Sequence, residues 1–518
     1  MNILNNTIIR TDKIKLDKNY ISEKEGIINA LVTASAQYIY KVMEKYNKGG
    51  GIKWFNREQQ KSLHRSIIHT NAHLDEYFAD LVFRSILPPH LKDLEIKEHT
   101  LISQTDDTFA KISWPNAVVF GIGSDETGGA EALMVFDEHS SDGTREKLSC
   151  SQLVADEYLK FVPHSIQRVL DEVNMSDAYR GANRYNLKNL ITSLNGALYV
   201  VGTDSISNEP VTKYLTENWK RAIINACITS MIFAYENKLF GDSKLTEPQK
   251  TEIEKTTKRS LDYFLEHTIL RSDKNFKRVM GYFAFQFKIS NHKIIDSTWK
   301  DKDGNELAEE ILVLNRICYS LEKCWGSQIC KLVMMHLWQG IFQQQLMFEE
   351  IMEELKNIQF DVKTNTNFGS VKKIMINSSF KPEKKINDNM KRNLKEDSPL
   401  WIFDISLSIP NYFNVAAVFK AVINYDYSQK GNNGFGIIFL HDKTLNSKLI
   451  NVGPTIPSDI WRKISDAIFN TEPDRWFQLK DGDGVYSDFI LNRNRAHQEQ
   501  MPSIKVDVKF LENVIQSL

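Results

Sequence analysis

Two short clusters in this chain combine imidazole and carboxylate side chains. The clusters are His69, His73 and Asp75 in the first, and Asp137, Glu138 and His139 in the second. Each cluster follows an apolar, strand-like run, at residues 66–68 and 132–136. Such side chains can gather around a divalent cation such as Mn²⁺ or Mg²⁺. Because open α/β sheets place their sites at the carboxyl ends of the strands, we expect the two clusters to meet there.

The spacing within each cluster allows more than one arrangement. The first reads H-x3-H-x-D, and a tight loop after a strand can turn all three side chains toward one cation. Along a strand, Asp137 and His139 would point the same way and Glu138 the opposite way. In a loop, all three side chains can turn toward the same cation. Two metal ions about 4 Å apart could then clamp a phosphoryl group and supply a bridging hydroxide. The competing interpretations are loop and capping roles for the first cluster, and a charged turn before residues 140–143 for the second.

The elements that must position these clusters suggest an α/β fold. Strands alternate with helices over residues 61–200, which favours a parallel sheet, and residues 116–123 read as a buried strand that meets a Gly-rich turn. Ser149 fits the cap of a following helix. We predict a parallel-sheet domain, a helical middle region and a smaller C-terminal α/β domain. The predicted divisions are an N-terminal helical extension at 1–60, the sheet domain at 61–205, the helical region at 206–362, a linker or exposed loop at 363–398, and a substrate-binding or lid domain at 399–518.

Composition limits the classes of protein that fit the chain. Its 518 residues carry a net charge of -1, so the whole molecule has no strong electrostatic attraction for nucleic acid. We see no run of about 18 apolar residues that would predict a membrane span, and no signal peptide. Five cysteines in so long a chain fit a reducing compartment. We therefore expect a cytoplasmic protein without a membrane partner.

The order of the motifs resembles the DHH superfamily of metal-dependent phosphoesterases and is most similar to its MYG-family exonucleases. The segment from His69 to Asp75 stands where the family has its first metal motif, and Asp137-Glu138-His139 stands where it has Asp-His-His. Residues 147–154 resemble the helix start that follows, and residues 174–181 resemble the last metal motif. Residues 490–503 loosely resemble the substrate segment of related carboxy-terminal domains.

This resemblance implies a metal-dependent phosphodiesterase that hydrolyses nucleic-acid ends or short oligonucleotides with Mn²⁺ or Mg²⁺. The implied metal ligands are His69, His73, Asp75, Asp137, Glu138 and Asp177, with Asp125 as a substitute ligand. The implied catalytic residues are Asp137, His139 and Arg180. The implied substrate-binding residues are Arg145, Arg493, Arg495 and His497. For Asp177 the competing interpretation is a helix N-cap, and for the arginines it is an ordinary basic surface.

Two departures from the family pattern lead to a second hypothesis. Gly121 stands where the family has a metal-bridging aspartate, and Glu138 stands where it has a histidine. Glutamate can bind Mn²⁺ or Mg²⁺, but loss of the bridging aspartate would weaken a two-metal site. The chain could therefore be a catalytically degenerate relative that binds nucleotide or serves assembly. In that case the helical region would mediate homo-oligomerisation or contact a partner protein.

Overall fold

In a computed structural model, most of the chain is described and divides into two compact units. The described residues are 18–48, 50–53, 57–69, 72–92, 94–99, 113–121, 131–138, 149–178, 187–188, 190–191, 194, 217–240, 245–267, 314–366, 368–376, 400–407, 422, 435–442, 446–452, 456–478, 489–492 and 502–518.

The first unit contains four strands and most of the helices, and it extends to Gln345. Its elements are α1 (Lys18–Tyr46), α2 (Arg57–Ser62), β1 (Arg65–His69), α3 (Leu74–Ile86), β2 (Glu95–His99), β3 (Ser113–Phe120), β4 (Glu131–Phe136), α4 (Cys150–Tyr158), α5 (His164–Ala178), α6 (Glu217–Glu236), α7 (Glu247–His267), α8 (Leu314–Trp325) and the first part of α9 (Ser327–Leu355).

The four strands form a parallel sheet in the order β2-β1-β3-β4, which confirms the predicted parallel α/β architecture. Ile68 lies beside Phe120, and Phe120 lies beside Phe136, so the carboxyl ends of β1, β3 and β4 meet at one edge. Ile67, Ile68 and Phe120 are fully buried, as expected for a parallel sheet that is covered on both faces. Among the described strands, β2 pairs with β1 alone and forms one border of the sheet.

Helix α3 is buried along its whole length. It ends at Ile86 because the residue that precedes a proline is disfavoured in the helical conformation, and Leu87 precedes Pro88. The Arg84 guanidinium donates through Nε to both carboxylate oxygens of Asp80, at 2.9 and 2.7 Å. The Ser66 hydroxyl on β1 donates to the same carboxylate at 2.6 Å. This buried polar network ties α3 to the central strand of the unit.

The N-terminal helix and the helical region pack in the same unit as the sheet. Helix α1 packs against α3 and α6, and α8 packs against α6 and α7. Helices α6, α7 and α8 lie within the stretch predicted to be helical, residues 206–362. None of the described helices combines the length and apolar composition that a bilayer crossing requires.

The second unit, from Leu346 onward, is built on a seven-stranded sheet in the order β10-β11-β9-β8-β7-β6-β5. Neighbouring strands are antiparallel except for the parallel pair β7–β8. Its elements are β5 (Thr364–Thr366), β6 (Gly369–Ile376), β7 (Leu400–Leu407), β8 (Phe435–Asp442), β9 (Ser447–Val452), α10 (Ser458–Thr471), β10 (Trp476–Phe477), β11 (Phe489–Asn492) and α11 (Val508–Ser517). Ile402, Phe439 and Ile450 from the sheet share one core with Trp461 of α10 and Ile515 of α11.

The first part of the stretch predicted as a linker, residues 363–398, instead forms strands β5 and β6. The sequence looks polar there because of Lys372 and Lys373, yet the Lys373 side chain is buried. Its ammonium lies 3.8 Å from the centre of the Trp401 ring and 4.5 Å from that of Phe360. Aromatic faces stabilise a buried cation in this way, so a lysine occupies an interior position of the sheet. Residues 377–398 lie outside the described part.

Glu472, at the end of α10, holds the turn that leads into α11. Its Oε1 accepts the backbone N–H groups of Ile504 and Lys505 at 2.8 and 2.7 Å, and its Oε2 accepts the Trp476 indole N–H at 2.9 Å. Burial by itself raises the pKa of Glu472. The hydrogen bonds from Lys505, Trp476, Ser503 and Ile504 outweigh that effect and lower this pKa from 4.5 to about 2.

Candidate functional site

The candidate site lies at the carboxyl edge of the parallel sheet. β3 runs between β1 and β4, so the residue after β3, Gly121, lies between the segments that follow the other two strands. The N–H of Gly121 donates to the carbonyl oxygen of Phe136 at 2.8 Å. The strand order therefore brings the start of α3 and the end of β4 to opposite sides of a glycine.

Asp75 lies in the first turn of α3, is 4% exposed, and binds the start of α4. Its Oδ2 accepts the Cys150 N–H at 2.8 Å, and its Oδ1 accepts the Ser151 N–H at 2.9 Å and the Ser151 hydroxyl at 2.5 Å. A helix N-terminus stabilises a carboxylate in this position. The contacts match the capping role that the sequence left open. They also fix the carboxylate in orientation.

Glu138 and Cys150 complete a group of three buried side chains with Asp75. One carboxylate oxygen from each acid and the Sγ of Cys150 all lie within 4.8 Å of one another. In the part of the chain that the structure describes, these are the side chains whose ligand atoms lie close enough together to hold a metal ion. Burial, followed by the negative charges of Asp75, Glu138 and Glu76, raises the pKa of the Cys150 thiol well above its ordinary value.

Glu76 occupies the space beside Gly121. A β-carbon added to Gly121 would come 2.8 Å from Glu76 Cγ and 2.9 Å from its Oε1, and the φ of +69° is itself one that side chains rarely adopt. Glu76 Oε2 accepts the backbone N–H of His73 at 2.7 Å, as in a capping box. A carboxylate from α3 thus reaches the end of β3.

The other predicted site residues are placed as follows. His69 is the last residue of β1, although its side chain is not described. His73 precedes α3, its side chain is 45% exposed, and its Nδ1 lies 3.9 Å from Glu76 Oε1. Asp137 directly follows β4. Asp177 lies in the last turn of α5, so the competing interpretation of Asp177 as a helix N-cap is wrong. Seven predicted residues fall outside the described part of the chain: Asp125, His139, Arg145, Arg180, Arg493, Arg495 and His497.

Three residues of the site were missed by sequence reasoning. The sequence predicts no role for Glu76, Cys150 or Ser151, although residues 147–154 resemble a family helix start. Ser149 does cap α4, accepting the N–H of Gln152 at 3.2 Å. The position of that helix start after the second cluster was the available signal, because it predicts that the first residues of α4 face the strand ends.

The donor set fits a divalent cation. Three carboxylates, from Asp75, Glu76 and Glu138, lie close enough to the buried Cys150 thiol to raise its pKa, and grouped buried anions are unfavourable without a compensating positive charge. Oxygen ligands suit Mg²⁺ and Mn²⁺, and a sulfur ligand extends the range of suitable cations to softer ions.

No family model matches the sequence, and comparison with curated proteins and with solved structures found no similar chain.

Proposed function

We propose that the chain is a metal-dependent phosphodiesterase of the DHH type, which hydrolyses nucleic-acid ends or short oligonucleotides with Mn²⁺ or Mg²⁺. The observation that carries the proposal is the meeting of Asp75 and Glu138, which are distant in sequence, in one buried group at the carboxyl edge of a parallel sheet. Sites of open α/β sheets lie at that edge. The residue types, the strand order and the motif resemblance all support the same site.

Within this proposal, Asp75, Glu138 and Glu76 would hold the cation, together with the predicted ligands His69, His73, Asp137 and Asp177. A bound divalent cation supplies charge stabilisation for the phosphoryl group and lowers the pKa of a water molecule. The chain itself contributes orientation: Ser151 and the first N–H groups of α4 fix Asp75, and the His73 N–H fixes Glu76.

The substrate class comes from the resemblance to exonucleases, and the charge of the chain agrees with it. A net charge of -1 gives weak long-range attraction for a polyanion. Affinity for duplexes depends on many phosphate contacts with basic side chains. We therefore propose short oligonucleotides and strand ends in preference to long duplexes.

The test is Mn²⁺-dependent hydrolysis by the purified full chain of a 5′-labelled RNA, the matching DNA, a dinucleotide and bis-p-nitrophenyl phosphate. We expect Glu138→Gln to lower the rate by at least about 100-fold, because it removes a charged metal ligand. The matched control is Glu254→Gln, which neutralises an exposed carboxylate on α7 and should retain the wild-type rate. Wild-type turnover in Glu138→Gln would exclude this site as the catalytic centre.

A second candidate function is a nucleotide-binding or assembly subunit without turnover. The three hydrogen bonds that Asp75 receives from α4 favour it, since they give this carboxylate a structural role, and so does the glycine at position 121. It predicts that the wild-type chain retains the dinucleotide in equilibrium dialysis while every substrate of the panel remains intact.

A further inference from the structure

We infer that the Cys150 thiolate is a metal ligand beside Asp75 and Glu138, and that the site therefore prefers borderline cations such as Co²⁺ and Zn²⁺ to Mg²⁺. The inference rests on the proposed function, because it names the class of cation that the same site takes.

The geometry supports sulfur ligation. Cys150 Sγ lies within 4.8 Å of a carboxylate oxygen of each acid. Zn–S and Zn–O bonds of about 2.0–2.3 Å place the neighbouring ligands of a tetrahedral ion roughly 3.5 Å apart. The three atoms lie within 4.8 Å of one another, so they must approach each other by up to about 1 Å when a cation binds.

The local structure fixes these groups relative to one another. Cys150 is the first residue of α4, and its own N–H donates to Asp75. Because this hydrogen bond comes from the backbone of Cys150 itself, it keeps the thiol of Cys150 close to the Asp75 carboxylate. Ser149 caps the same turn.

The chemistry of the group sets the preference. Thiolate is a soft ligand that favours Zn²⁺ and Co²⁺, whereas Mg²⁺ selects hard oxygen ligands and retains water. Cation binding releases the thiol proton to solvent as the metal–sulfur bond forms.

The remaining cysteines provide internal controls. Cys318 and Cys330 lie with their sulfurs 3.9 Å apart between α8 and α9, and Cys324 is partly exposed on α8. Within the described residues, none of these cysteines belongs to a group of three metal-ligating side chains.

The experiment is a Co²⁺ titration of the reduced full chain, followed by near-ultraviolet absorption and by isothermal titration calorimetry. We expect a thiolate-to-cobalt charge-transfer band that is lost in Cys150→Ser and kept in Cys324→Ser. Cys150→Ser should lower Co²⁺ affinity by at least about tenfold and leave Mg²⁺ affinity nearly unchanged. The ratio of Co²⁺ affinity to Mg²⁺ affinity distinguishes the loss of one sulfur ligand from general damage to the site, because general damage would lower both affinities.

Other outcomes would overturn either the thiolate ligand alone or the whole metal site. Co²⁺ binding without the band, or a band that survives in Cys150→Ser, removes the thiolate from the site and leaves the carboxylate site of the proposed function standing. Absence of both Co²⁺ and Mn²⁺ binding to the wild-type chain overturns both. Should Cys150→Ser fail to fold, ¹¹³Cd resonance of the wild-type chain decides, because a sulfur-bound cadmium resonates far from an all-oxygen one. That signal must shift or vanish in Glu138→Gln.

Discussion

At the scale of single residues, the side chain of Glu76 fills the space beside Gly121 at the end of β3. The glycine has a positive φ and no side chain, and the glutamate fills the space that a side chain would need. Gly121 contributes no carboxylate, and the carboxylate that lies beside it comes from Glu76 on α3.

We predict that Gly121→Ala destabilises the chain by about 2–4 kcal/mol. The cost combines the positive φ, about 1–2 kcal/mol, with the displacement of the buried Glu76 side chain. Urea unfolding would measure it, and Mn²⁺ affinity should fall as Glu76 moves. The matched control is Gly326→Ala, where φ is +83° and nothing lies within 4 Å of an added β-carbon. Equal costs at the two glycines would show that Glu76 does not resist the change.

Glu472 gives a pH-dependent prediction. Its folded pKa of about 2 lies below the ordinary 4.5, so its contribution to stability is complete above pH 4.5 and is lost as pH falls toward 2. Glu472→Gln should cost about 1–3 kcal/mol at pH 7, because four donors lose a charged acceptor. The difference from wild type should shrink between pH 4.5 and 2.

Urea unfolding followed by tryptophan fluorescence at pH 7 and pH 3 would test this, since Trp476 donates to the carboxylate. Asp474→Asn is the control, because Asp474 is an exposed acid two residues away. A cost for Glu472→Gln that is the same at both pH values would contradict the assigned charge.

At the scale of elements, α3 carries the site, and its position depends on the Asp80–Arg84 network. The first turn of the helix contains Asp75 and Glu76. The helix is held against β1 by the hydrogen bond from Ser66 to Asp80, and Asp80 in turn binds Arg84. Asp80 and Arg84 are each 1% exposed. The anchor of the helix therefore lies about one to two and a half turns from the two carboxylates that it positions.

Asp80→Asn should destabilise the first unit by about 3–5 kcal/mol, because it leaves a buried guanidinium without its counter-charge. Replacing both partners, as Asp80→Leu with Arg84→Met, should cost much less, since no buried charge remains. Chemical denaturation of the two variants would compare them. A double variant as unstable as Asp80→Asn would show that packing, and not charge, sets the cost.

Most elements were predictable from the sequence because their periodicity is strong. The long helices α6 and α7 and the buried strand β3 follow apolar patterns that tertiary packing reinforces. Strands β5 and β6 were not predictable in this way. Lys373 is buried by three aromatic rings that come from elsewhere in the chain, including Phe360 and Trp401. No local window of sequence contains that information.

At the scale of the whole molecule, the chain has two compact units, each with its own core. Calorimetry should accordingly resolve two transitions, since separate cores unfold as separate cooperative units. Asp80→Asn should lower the midpoint of one transition by several degrees, and Glu472→Gln should lower the other. If each variant shifted both transitions equally, the molecule would unfold as one cooperative body.

The candidate site was partly predictable at this scale. Sequence reasoning placed Asp75 and Glu138 at the carboxyl ends of strands in one parallel sheet, and the structure brings them together. Cys150 and Ser151 could not be assigned, because their role depends on how α4 meets α3. That packing is a tertiary property, and the spacing of residues along the chain does not encode it directly.

The border strand β2 has a consequence for how copies of the chain behave in concentrated solution. Its sequence is Glu-Ile-Lys-Glu-His, and the exposed side chains of Glu95 and Lys97 form an ion pair at 3.6 Å. A strand from another molecule that joined the sheet there would have to strip water from these charges. At this border of the described sheet, the charged side chains therefore oppose edge-to-edge pairing between copies of the chain.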